Sequence, residues 1–405
     1  MKKILLLGLM WGMLLQGCEE LLPSAPASNE ILDGPIEGLS AAQMHTFLAG
    51  DEAFSEVFVP ESGLGPYFVT SSCVTCHPGD GKGHPSSGLT RFGKFTNGSF
   101  DHMLAQGGPQ LQNHAIPGFE AETIPAEATG ITVFLAPAVT GMGLLEAVPD
   151  ADILAKADPN DLDSDGISGE PNYIIPPVFF KPKTHHLANA GRYIGRFGKK
   201  AGAIDLLMQT VGAYKQDMGI TSDFDLEDPI NFNDSEIAIG QVGDPEVSAS
   251  TVNQVVFYLQ TLKPPLRRKA EDSDVIEGEM LFEQIGCATC HLPTMTSGPH
   301  AVEALAYKTF HPYTDLLMHD MGTDLDDGYT EGTAITSEWK TPALWGLGLS
   351  KNAQGGLYFL MHDGRAGSIE EAIMMHGGEA AAAAEKFEAL AQADRDFVVR
   401  FLESL

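Results

Sequence analysis

The sequence predicts a mainly α-helical fold of two similar units with long loops, and three observations carry that reading. A C-x-x-C-H run occurs twice, as Cys73-Val74-Thr75-Cys76-His77 and as Cys287-Ala288-Thr289-Cys290-His291. A weak internal repeat accompanies it: Val255 to Leu262 matches Val398 to Leu405, each with helical apolar spacing and each well after one of the runs. Lastly, 44 Gly and 25 Pro beside 43% hydrophobic residues describe a globular chain with many turns.

The two runs declare a chemistry. In a C-x-x-C-H segment the thiols add across the vinyl groups of a haem and the adjacent imidazole reaches the iron, which is the attachment signature of c-type haem. A four-cysteine zinc site and a redox dithiol are the alternatives. Zinc ribbons separate their pairs by about 15–20 residues, whereas most of this chain lies between the pairs. Redox dithiols belong at a strand-to-helix junction in a βαβ unit, and neither pair has that setting. The expectation is two cytochrome c-like domains, each holding one covalent c-type haem, on Cys73, Cys76 and His77 and on Cys287, Cys290 and His291. These use four of the five cysteines.

The fifth, Cys18, ends a different feature. Lys2 and Lys3 precede an apolar run from Ile4 to Leu15, too short to span a bilayer, and Leu15-Gln16-Gly17-Cys18 closes it like a bacterial lipobox. Residues 1–18 read as a lipoprotein-type signal peptide with Cys18 as the lipidated residue; a secreted protein with a stray cysteine is the alternative. Either way the chain is expected outside the cytoplasm, periplasmic or at the cell surface and anchored to a bacterial membrane by lipid. Residues 19–45, with Pro23, Pro26 and Pro35, read as a flexible tether. The first cytochrome-like domain is placed at 46–264, with a long insertion, and the second at 265–405, divided within Lys263-Pro264-Pro265.

Within the insertion, Asp161, Asp163 and Asp165 alternate ahead of Gly166, as in the first half of a calcium loop. Asn172 stands where a bidentate Glu would complete that loop, and an Asx-rich turn is the competing reading. His185 and His186 lie in a lysine-containing loop and are expected to be solvated. Ile204, Leu207, Met208 and Val211 follow helical spacing and read as core. His84, shortly after the first motif, is an outside candidate for its iron.

In the second unit, Ile276 to Phe282 reads as the helix leading into the motif, with Gly278 one turn from Phe282, where a glycine lets another helix cross closely. Ser368-Ile369-Glu370-Glu371 matches a capping box, and Gly377-Gly378 supplies a stop. Ile369, Ala372, Ile373 and His376 then share the apolar face of a short helix. An imidazole so placed suits the second axial position of the C-terminal haem, opposite His291, with a core histidine as the alternative. Met375 and His362 are reserves.

The formal charge of −31 argues against nucleic acid as a partner and admits a basic electron-transfer protein, although simple solubility explains it as well.

Further stretches carry a resemblance. Gly143 to Pro149, Asp165 to Gly169, Gly195 to Gly198, His311 to Leu317, Met318 to Gly322, Trp339 to Gly348 and His362 to Ala366, together with both motifs, resemble the bacterial di-haem oxidoreductases described as peroxidases or thiol oxidoreductases. That family is similar to di-haem cytochrome c peroxidases and to the di-haem enzyme that matures a tryptophan-derived quinone cofactor. The resemblance implies that the N-terminal haem meets hydrogen peroxide while the C-terminal haem relays electrons from a donor protein such as a small cytochrome. It also implies that His376 falls where the relatives place the relay haem's distal ligand, and that Glu146 serves as the distal acid. Lys199 departs from the family pattern, which has Trp there, and Trp339 or Trp345 is then the aromatic available between haems. An electron-transfer or sensing cytochrome without peroxidase activity, and a peroxide-dependent oxidase of a protein or thiol, are the alternatives.

Overall fold

The computed structural model describes residues 27–96, 98–234 and 242–405. The proposed signal segment and Cys18 lie outside the described residues. No described helix is long and apolar enough to cross a membrane.

Two helix pairs organise the chain. Helix α1 (Ala41–Ser55) packs on α5 (Ala249–Thr261), and α6 (Ser273–Gln284) packs on α8 (Gln392–Ser404). Each crossing is made at a glycine. A Cβ on Gly50 would overlap the Gln254 carbonyl oxygen and sit 2.7 Å from the Tyr258 Cβ; a Cβ on Gly278 would overlap the Phe397 carbonyl oxygen and sit 2.8 Å from the Phe401 Cβ. The repeat therefore holds in space, with Gln254 and Tyr258 in the places of Phe397 and Phe401. One turn past each glycine a phenylalanine reaches its partner helix: Phe54 lies 5.4 Å from Tyr258 and Phe282 lies 5.2 Å from Phe401, ring to ring.

The helix ends follow local chemistry. Ser40 and Gln43 form a reciprocal capping box at the start of α1. Asp205 caps α4 (Leu206–Met218), which ends at Gly219 in the left-handed conformation. Ser248 and Asp272 cap α5 and α6. Because α1 begins at Ala41, the boundary drawn at residue 46 falls inside it.

The expectation of a mainly α fold needs correction, since the described residues are 34% helix with 13% strand. The Gly- and Pro-rich stretches between helices do not remain plain loops; they pair in short antiparallel ladders that satisfy their backbone groups. Leu89–Thr96 lies between Ser99–Asp101 and Gly130–Phe134, and Met318–Asp320 pairs with Glu338–Lys340. The division at residue 264 separates the helix pairs but not the cores. Met295, Val302, Leu305, Phe310, Leu316, Leu317 and Trp345 join the first core, while the second gathers Phe282, Tyr313, Ile369, Phe387 and Phe401.

Candidate functional site

The first motif forms the single turn α2 (Cys73–Cys76), and the second forms a 3-10 turn over Cys287–Thr289. In both, the chain turns back so that the histidine N–H donates to the carbonyl of the first cysteine, at 3.0 Å in each case. All four thiols are free. Burial pushes Cys73, Cys76 and Cys287 up to about 12. They are thiols, not thiolates, in this cofactor-free state.

The two histidines are prepared alike. His77 Nδ1–H donates to the Pro137 carbonyl at 2.8 Å, and His291 Nδ1–H donates to the Tyr313 carbonyl at 3.0 Å. A carbonyl can only accept, so each ring carries its proton on Nδ1 and presents a lone pair at Nε2. Burial holds both imidazoles neutral by lowering them to about 4. Phe54 lies 6.0 Å from the His77 ring and Phe282 lies 6.4 Å from the His291 ring, so each crossing helix also braces its motif. A fixed tautomer, a free Nε2 and two adjacent thiols fit a haem.

The surroundings then diverge. His376 lies just past the end of α7 (Ile369–Met374) rather than within it: its N–H donates to the Ile373 carbonyl at 3.1 Å and Nδ1–H to the Ala372 carbonyl at 2.8 Å, leaving Nε2 free. Ser368 caps this helix through the Glu371 N–H, but the Glu371 carboxylate takes the Gly367 N–H, so only half of the expected capping box forms. Burial lowers His376, and its charge would act on His291, which places the two imidazoles in one neighbourhood. The cation that acts on His77 is Lys199.

A side chain without an assigned role completes the second motif. His319 sits between Asp315 and Glu379, with Nε2 and Nδ1 each 2.8 Å from a carboxylate oxygen, and Nδ1 3.7 Å from Cys290 Sγ. Burial opposes its charge, but Asp315, Cys290 and Glu379 together drive it up to about 12. Cys290, Asp315 and His319 converge within 4.8 Å. Because a carboxylate oxygen accepts, both ring nitrogens act as donors in this arrangement, a charged hydrogen-bond node. Asp315 and His319 stand in stretches that carried the family resemblance, the only sequence signal for them.

Glu146, at the end of α3 (Met142–Glu146), is fully enclosed and tied down. Its carboxylate accepts from Leu206 N–H at 2.9 Å and Gln260 Nε2 at 2.7 Å, and pairs with Lys183 Nζ at 3.0 Å. Burial would raise its pKa, but Lys183 and these donors outweigh it and hold the carboxyl below its ordinary value. A different carboxylate attends the first motif. Asp217, near the end of α4, is the charge that acts on both Cys73 and Cys76. Burial raises it to about 6 against Gln110, whose Nε2 donates to it at 2.6 Å. Nothing in the sequence pattern marks Asp217, because its value comes from a helix face set against a distant turn.

The solvated placement expected for His185 and His186 requires correction. His185 and His186 are buried, 7% and 8% exposed, because the loop folds over them: His186 stacks on Phe180 at 5.4 Å, and the His185 carbonyl takes the Asp150 N–H. His84 is exposed and caps the turn Pro85–Ser87 through Ser86 N–H. His362 stacks on Trp339 at 3.8 Å and binds Asp327 at 2.8 Å, while Met375 packs at the rim of the second core. Trp345 packs on Phe310 within the first core. In the acidic loop, Asp158 joins Asp161 and Asp163 within 4.8 Å, whereas Asp165 takes the Ile167 N–H and Asn172 points into the protein toward Lys200 and Glu331.

The family model described as "Di-haem oxidoreductase, putative peroxidase" matches residues 130–405. The chain belongs to the di-haem oxidoreductase family. Haem is thus the cofactor class of this oxidoreductase. No curated protein matches it. Among solved structures, hydrazine synthase of Kuenenia stuttgartiensis under 20 bar xenon is 13% identical over 95% of each chain, with a TM-score of 0.40. A MauG-like protein associated with microbial copper homeostasis is 14% identical over 95% of this oxidoreductase and 94% of that chain, with a TM-score of 0.39.

Proposed function

We propose that the chain is an exported peroxidase that carries two covalent c-type haems. Cys73 and Cys76 would hold one and Cys287 and Cys290 the other, with His77 and His291 as the residues that would bind the irons. The haems would supply an iron able to take peroxide and a store of electrons from a donor protein such as a small cytochrome. The observation that carries this reading is the asymmetry of two otherwise matched motifs: His291 has a second neutral imidazole, His376, in its neighbourhood, and His77 has Lys199. On this reading the motif with His376 near it would hold the haem that relays electrons, and the motif at His77 would hold the haem that meets peroxide.

Peroxide cleavage needs a group that removes a proton from one oxygen and returns it to the other. Asp217 is the carboxylate best supported for this, because a half-buried acid whose pKa is raised to about 6 can do both. Both oxygens of Glu146 are engaged and Lys183 favours its ionised form, so it acts as a base at most. The same fact favours the competing reading, a di-haem electron carrier without peroxidase activity, should Asp217 prove inert. We also place Cys18 as a lipid anchor and calcium at Asp158, Asp161 and Asp163, on the grounds of the signal segment and of the converging carboxylates.

The test is a spin-state spectrum of the haem-loaded protein, with and without cyanide, beside a count of haems that survive denaturation. Two attached haems, with one iron high-spin and cyanide-binding once its partner is reduced, support the peroxidase. Two permanently low-spin irons leave the electron carrier. Loss of fewer than one haem on replacing both Cys287 and Cys290 by Ala removes the covalent reading.

A further inference from the structure

Acidic residues outnumber basic ones 55 to 24, yet three lysines gather without a carboxylate partner. Lys82 lies five residues past His77, Lys199 follows Gly198, and Lys340 ends the strand Glu338–Lys340. The backbone ties them together. Lys340 N–H donates to the Lys199 carbonyl at 3.1 Å; Gly83 N–H donates to Ala136 at 2.9 Å and Leu135 N–H to His362 at 2.8 Å, and the His362 ring stacks on Trp339 beside Lys340. All three side chains are half-buried. Among the described residues none forms an ion pair, and Asp363, whose charge acts on Lys82 and Lys199, is engaged by Arg365 at 2.7 Å. Burial first, and then Lys82 and Lys340, push the Lys199 ammonium well below its usual range.

The cluster stands between the two motifs. Lys199 is the cation that acts on His77, while Lys340 feels Asp315, the carboxylate bonded to His319 beside Cys290. Like charges gathered among half-buried groups repel one another, and among the described residues none of the three is in salt-bridge contact with a counter-charge. The family's cofactor brings one, since each haem carries two carboxylates.

We propose that Lys82, Lys199 and Lys340 form a cradle for haem carboxylates between the two C-x-x-C-H motifs. The inference rests on the haem reading above. Where resembling sequences carry Trp, this chain sets a cation at Lys199 that neutralises the carboxylate edge and favours the reduced iron. The test compares Lys199→Gln, Lys199→Arg and Lys82→Gln in the haem-loaded protein, with haem content counted first so that failure of attachment is separated from failure of the cradle. The Gln variants are expected to keep two haems, lower the midpoint potential of at least one, raise its redox-linked carboxylate pKa by about one unit, a tenfold change in proton affinity, and alter the haem-carboxylate vibrational bands. Lys199→Arg should stay near the parent. Unchanged potentials and bands in both Gln variants overturn the proposal. So does an Arg variant as altered as Gln, or an effect of the Gln variants confined to the affinity for added acetate.

Discussion

Gly278 lies directly beneath Phe397, so close that a Cβ at this position would overlap the Phe397 carbonyl oxygen. The backbone of α8 is as much a part of that contact as any side chain, and Gly50 under Gln254 repeats it in the other pair. Replacing Gly278 with Ala should force α6 and α8 apart, at about 1–3 kcal/mol. The check is the thermal midpoint of the purified protein. A midpoint unchanged from the parent would mean that the helices part without loss.

His376 donates Nδ1–H to Ala372 and keeps Nε2 free. On the proposed assignment, His376→Ala should convert the iron attached at Cys287 and Cys290 from low to high spin and let it bind cyanide, without loss of haem. Electron paramagnetic resonance at low temperature reads this directly. A spectrum identical to the parent would move the ligand elsewhere, with Met375 the next residue to replace.

Asp217 and Glu146 give opposite expectations. Asp217→Asn should slow peroxide cleavage on the order of a hundredfold or more, the usual scale for a lost acid-base group, with both haems kept. Glu146→Gln should instead weaken the tie to Lys183 and lower stability, with a smaller effect on rate. Stopped-flow mixing with peroxide distinguishes them, and a reversal of the two effects would restore Glu146 to the catalytic role.

Burial lowers His185 to about 4 and His186 to about 3. Both stay neutral in the folded protein while the unfolded chain takes up protons below about pH 6.5. Their contribution to stability is therefore complete above pH 6.5 and is lost as pH falls toward 4 and 3. Denaturant midpoints measured from pH 7 to 4 should decline, and His186→Phe, which keeps the stack on Phe180, should flatten part of that decline.

Calcium at the acidic turn has a direct check. Titration calorimetry should show binding that is lost when Asp158, Asp161 and Asp163 are changed together to Asn. Binding that persists in that variant would place the ion elsewhere.

What was legible in the sequence were features written in short spans. The two motifs, the helix ahead of the second and the repeat from Val255 and Val398 each depend on neighbours within a few turns. The Gly50 to Phe54 spacing is the same as Gly278 to Phe282 and was open to the same reading, but nineteen residues separate Phe54 from Cys73 against five from Phe282 to Cys287, and this hides the parallel. What escaped were relations made by folding: the burial of His185 and His186 under Phe180, the node at His319, and Asp217 facing the motif cysteines. Each depends on residues far apart in the chain, for which local periodicity carries no signal.

The two glycine crossings close loops of very different length, since Gly50 meets Gln254 while Gly278 meets Phe397. Loop closure grows only with the logarithm of length, so the longer loop adds roughly half a kcal/mol of entropy cost. Thermodynamics therefore places little restraint on the size of the segment between α1 and α5. Kinetics restrains it more, because a contact spanning so much chain must await a rarer encounter. The first pair should assemble after the second, leaving Phe54 and the Cys73 turn exposed longest during folding.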